Sequence, residues 1–100
     1  MPRIALFITF KANPGARDAL VAHLATAGQS YSAEAGTEAF VVAHSLTDAD
    51  TVLVYERYAD EAAKAAHEAA PGYAAIREKT GTFLAGAPSV VPMAVVGGKL

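Results

Sequence analysis

Apolar residues fall along the chain in short blocks with two kinds of spacing. Residues 4–10 form a run rich in β-branched and aromatic side chains, closed by the turn signal Asn13-Pro14-Gly15, and read as a strand. Leu20, Leu24, Ala27 and Tyr31 then recur at spacings of four, three and four, the stripe of an amphipathic helix that starts near Ala16 and stops at Gly36. Residues 37–45 and 51–58 are strand-like, and the polar link 46–50 is of hairpin length, so the two should pair antiparallel. Asp60 is placed to cap a second helix, "EAAKAAHEAA", which Pro71 and Gly72 interrupt. Tyr73, Ile76, Thr80 and Phe83 mark a third helical piece, residues 85–89 a loop, and residues 90–96 a last strand in which Pro92 suits an edge or a bulge.

The order strand, helix, strand, strand, helix, strand predicts an α+β, ferredoxin-like βαββαβ domain with an antiparallel sheet and its helices on one face. A sheet with one face in water should alternate apolar and polar residues. "IALFITF", "FVVA" and "TVLVY" are apolar on both parities. The chain has no spare element to cover a second face, so the expected cover is the sheet of another copy, in a homodimer.

Composition narrows the function. One hundred residues with 53% hydrophobic and 18% charged side chains make an ordinary single domain, residues 1–100. The formal charge is −2 and the eight basic residues are scattered, which removes the electrostatic footprint of nucleic-acid binding. The absence of cysteine excludes a disulfide framework and a thiolate site, and fits a cytoplasmic protein. The apolar run before Lys11 is too short for a signal peptide or a membrane span. The three histidines lie far apart without ligand spacing, no glycine-rich phosphate loop follows a strand, and no nucleophile elbow is present; neither a metal nor a cofactor is expected.

The stretch from Tyr55 to Ile76 holds the candidate chemistry. His67 shares a helix face with Ala63 and Ala70, small residues that turn toward the sheet and leave room for a ligand. It reads either as a packed, hydrogen-bonded histidine or as a pocket group. Glu56 and Tyr58 lie two apart on one strand and so share a face. A mid-strand glutamate among apolar neighbours needs a partner, such as His67 or an arginine, or must end in water. Tyr73 opens the third helical stripe, and Arg77, one turn later, can reach the same mouth or stay on a solvated face. His23 and His44 are weaker candidates.

Three segments, "KANPGARDAL" entering the first helix, "YERYADEAAKAAH" from strand to helix, and "AGAP" before the closing strand, together resemble the antibiotic biosynthesis monooxygenase family over nearly the whole chain. The resemblance implies a dimeric α+β barrel with a pocket between each sheet and its own helices. It also implies cofactor-independent oxidation of a small aromatic, a quinol or a polycyclic phenol or anthrone, with dioxygen as co-substrate. On this likeness His67 matches the histidine of the quinol-oxidising members, and Glu56 and Tyr58 match the family's glutamate-x-aromatic pair, making these three the catalytic candidates. Tyr73, Arg77 and Ala63 become the substrate-binding ones. The anthrone oxidases carry asparagine at Ala63 and tryptophan at His67. The haem-degrading branch needs an asparagine on the first strand and an axial histidine near Arg77, and this chain has neither. The alternative from another class is a dimer that binds a small aromatic, or serves in stress, without turnover; a third is an isomerase of the related barrels.

Overall fold

Strand β1 (Ile4–Lys11) is the centre of the sheet, paired antiparallel with β3 (Thr51–Tyr58) on one side and β4 (Ser89–Ala94) on the other. Strand β2 (Thr37–His44) extends β3, giving the order β2-β3-β1-β4 in the computed structural model, which describes residues 2–99. Helices α1 (Arg17–Tyr31), α2 (Glu61–Ala69) and α3 (Tyr73–Gly81) complete the ferredoxin-like α+β arrangement. No helix among the described residues is long and apolar enough to cross a membrane.

The helix-facing parity of β1 and β3 makes the core. Phe10, Val52 and Val54 pack with Leu20 and Leu24 of α1, and Ile4, Leu6 and Tyr58 form a second cluster. Leu20 and Val52 are wholly buried, and each such side chain contributes about 1.5–3 kcal/mol of transfer free energy. The opposite parity, Phe7, Tyr55, Val41, Val91 and Met93, faces away from the helices. Val41, Val91 and Met93 are 53%, 40% and 52% exposed, so the second apolar face of the sheet is uncovered in the single chain.

Local chemistry places the helices. The Asp60 carboxylate accepts from the Ala63 amide at 2.8 Å, capping α2. Ala70, preceding Pro71, is extended (φ −64°, ψ 146°), because the proline ring disfavours helical geometry in the residue before it. Gly72 then takes φ +90°, a left-handed conformation that reverses the chain into α3. That helix ends at Gly81, two residues short of Phe83, whose ring still packs on the core. Strand β4 stops at Ala94 rather than Val96 and is an edge strand, where Pro92 costs no outer ladder hydrogen bond.

The turn from α1 into β2 meets α2 at close quarters. The Gly36 carbonyl accepts from the Ala59 amide at 2.9 Å, and a Cβ at Gly36 would lie 2.5 Å from the Ala63 methyl. Gly36→Ala should therefore push the turn off α2 and destabilise the protein by about 1–3 kcal/mol. A urea midpoint equal to that of the unsubstituted protein would refute this contact.

Candidate functional site

Helices α2 and α3 each bury a single, polar residue, His67 and Thr80. A cavity of about 430 Å³ lies between the helices and the sheet, and from α2 it is lined by His67 and Glu68. That volume suits a small organic ligand. Leu6, Ile8 and Phe10 of β1 make an apolar floor, with Leu24, Phe40 and Ile76 among the walls.

Glu56 projects from β3 into this floor and is 7% exposed. The Tyr58 hydroxyl donates to Glu56 Oε1, so the partner is the phenol two residues along the same strand, not His67 or an arginine. Both side chains point to one face because strand periodicity is two, and their lengths let them meet. Burial raises the Glu56 carboxyl above its ordinary range, against the lowering effects of the Tyr58 hydrogen bond and of His67. Burial, then the Glu56 hydrogen bond and charge, pushes the Tyr58 phenol up. Tyr58 itself is wholly buried and lies behind Glu56 rather than in the cavity lining.

His67 lines the cavity and is 3% exposed. Its Nδ1 lies 2.7 Å from Glu34 Oε1, an acid from the turn after α1. Tyr31 and Tyr73 stand edge-on to the imidazole, with ring centroids 4.3 Å and 5.2 Å away, and Tyr58 tilts over it at 5.3 Å. No described side chain bonds Nε2, and no buried side-chain nitrogen or oxygen is left unpaired. Nε2 therefore keeps access to solvent, on a residue that lines the cavity. Burial, followed by Glu56 and Tyr73, pushes the Tyr31 phenol up to about 12. Tyr73 is raised by burial and by Glu68, with Arg77 opposing. Both phenols line the cavity and stay protonated donors at neutral pH.

The structure thus brings Glu56, His67, Tyr73 and Arg77 to one cavity, with Arg77 and Glu68 exposed at its rim. Ala63 is not in the lining; its methyl faces Gly36 and the cluster around Tyr58. His23 is held outside, by the Thr80 hydroxyl at 2.9 Å and the Ile76 carbonyl at 3.2 Å, tying α1 to α3, and His44 is exposed on β2. Two partners of His67, Tyr31 in the cavity lining and Glu34 outside it, are not marked as site residues by the sequence reading. Tyr31 carries a signal, as an aromatic ending the α1 stripe, whereas Glu34 is a lone acid in a turn with no spacing to mark it. Among the described residues no three acidic or histidine side chains gather as a metal site.

Comparison with known proteins agrees with this architecture. Residues 3–79 match the antibiotic biosynthesis monooxygenase family, and the chain belongs to it. The structure is similar to NE2512 of Nitrosomonas europaea, a protein of unknown function, at 32% identity and TM-score 0.85, covering 100% of this chain and 95% of that one. It is similar to Rv0793 of Mycobacterium tuberculosis at 27% identity and TM-score 0.86, covering 96% and 97% of the two chains. A Chloroflexus aurantiacus protein assigned to the antibiotic biosynthesis monooxygenases aligns at 26% identity and TM-score 0.82, over 97% and 96%. No curated protein matches the chain.

The raised Glu56 carboxyl has a signed consequence for stability. Its contribution is fully present below the ordinary carboxylate range and is lost as pH rises through the raised folded value, because the charged form must be desolvated. Glu56→Gln keeps an acceptor for Tyr58 and carries no charge, so its thermal midpoint should gain on that of the unsubstituted protein as pH rises. Parallel midpoint curves across that range would show that Glu56 is not desolvated.

Proposed function

We propose that the protein is a cofactor-independent monooxygenase that oxidises an electron-rich aromatic, a quinol or an anthrone-type phenol, with dioxygen. The observation that carries this reading is an apolar cavity onto which an unpaired imidazole nitrogen, a carboxyl raised by burial and two phenol donors open together. The family membership supports the same chemistry.

In this reading His67 Nε2 removes a proton from the substrate, leaving a phenolate or stabilised carbanion. The Tyr31 and Tyr73 hydroxyls donate toward the developing negative charge in a site poor in water. The anion passes electrons singly to dioxygen and a carbon–oxygen bond forms. As the peroxide breaks its oxygen–oxygen bond, the carbon gives up its second proton and water departs. A ring CH₂ and O₂ thus become C=O and H₂O, so the substrate supplies every electron. Tyr58 serves through Glu56, and Arg77 at the rim suits an acidic substituent on the ring system.

A second copy belongs to the same reading. The chain exposes 6044 Å², whereas a folded monomer of this mass has about 5,400 Å². The uncovered sheet face carries the exposed Val41, Val91 and Met93. Sedimentation should give a dimer, and Val91→Lys with Met93→Lys should shift it toward monomer; a monodisperse monomer of the unsubstituted chain would refute the pairing.

Oxygen uptake with a panel of quinols and anthrones, run with catalase to discount peroxide cycling, tests the chemistry. The protein should accelerate uptake, and His67→Ala should lose roughly 10²- to 10⁴-fold of that acceleration. Binding of the panel without accelerated uptake would favour a non-catalytic aromatic-binding dimer.

A further inference from the structure

Glu34 lies outside the cavity lining, yet it makes the one side-chain hydrogen bond of His67 among the described residues. It leaves the chain in the turn between α1 and β2, where its amide donates to the Tyr31 carbonyl at 3.0 Å and its carbonyl accepts from the Thr37 amide at 3.2 Å. The Thr37 hydroxyl donates to Glu34 Oε1 at 2.8 Å, fixing the carboxylate on the oxygen that meets the imidazole. The approach of this turn to α2 depends on Gly36 and Ala63, whose small size lets the two segments touch.

A carboxylate only accepts hydrogen bonds, so the 2.7 Å contact requires the proton to sit on Nδ1. The lone pair of the neutral ring is then on Nε2, the nitrogen that no described side chain bonds, on a residue of the cavity lining. Without a partner at Nδ1, a neutral imidazole has no reason to keep that tautomer, and a proton on Nε2 would convert the base into a donor. Tyr31 and Tyr73, edge-on to the ring, restrict its plane, but they do not select which nitrogen is protonated.

We propose that Glu34 is a positioning residue that holds His67 as the Nδ1–H tautomer and so presents Nε2 to the cavity as a proton acceptor. The geometric half stands on the Glu34–Thr37–His67 arrangement, and the kinetic half rests on the monooxygenase reading. The same turn that closes α1 onto β2 thereby sets the protonation geometry of a residue on α2, 33 positions away in the chain.

Nuclear magnetic resonance of the whole protein with isotope-labelled histidine, in the neutral-imidazole range, reads the tautomer without any substrate. The His67 signals are assigned by their loss in His67→Gln. The unsubstituted protein should show a protonated Nδ1 and a bare Nε2. Glu34→Gln, whose amide oxygen can still accept, should keep that pattern, and Glu34→Ala should move the proton toward Nε2. On a substrate that is turned over, Glu34→Ala should lower kcat by roughly tenfold to a hundredfold with KM little changed, and Glu34→Gln should recover most of that loss. A protonated Nε2 in the unsubstituted protein, or a tautomer indifferent to Glu34→Ala, would overturn the assignment. Oxygen uptake lost in His67→Ala but intact in Glu34→Ala would also overturn it. The expected tautomers without uptake on any substrate would uphold the Glu34 geometry and count against the oxygenase reading alone.

Discussion

The buried carboxyl of Glu56 is the constraint around which the rest of the site is arranged. On the helix-facing side of β3 the positions before it, Val52 and Val54, are filled by aliphatic side chains that need no partner. A carboxyl at the next such position loses water and must recover what it can from the protein. Tyr58 supplies a hydrogen bond to one oxygen, and that requires a phenol buried completely in the adjoining cluster. His67 shares the cavity with Glu56, and the charges of Glu68 and Lys64 act on the carboxyl in opposite directions. Desolvation, more than any single contact, therefore sets the protonation states from which the cavity works.

Close packing is the second requirement, and it comes from short side chains. Ala63 on α2 and Gly36 let the turn after α1 pack against that helix. This brings Glu34 and Thr37 to the back of His67, so a packing contact in the fold becomes an electrostatic contact in the site. A change that only loosens the packing there would reach the imidazole through its hydrogen bond.

The two faces of the sheet divide the work between them. One carries the core and the cavity floor; the other carries an apolar surface with no cover from its own chain. Thermodynamically such a face is unfinished, because apolar area left in water forgoes about 25 cal/mol for each Å². The edge strand β4 belongs to both sides, with Val90 at the cavity and Val91 and Met93 on the outer face.

Much of this was legible in the residues alone. The strand and helix periods placed every element, Asp60 and Pro71-Gly72 marked the limits of α2, and apolar residues on both strand parities announced the two-sided sheet. His67, Glu56, Tyr73 and Arg77 stood out because a polar group in an apolar pattern needs an explanation. The partners did not stand out. That Glu56 meets Tyr58, that His67 meets Glu34, and that Tyr31 closes on the imidazole are outcomes of side-chain reach and of how far one turn approaches one helix. Ala63 shows the same limit from the other side, since helix spacing aimed it at the sheet but only the packed structure puts it under Gly36 instead of in the cavity. Periodicity is a local property of the chain and determines which face a residue takes; hydrogen-bond partners lie across loops, and only the folded distances decide them.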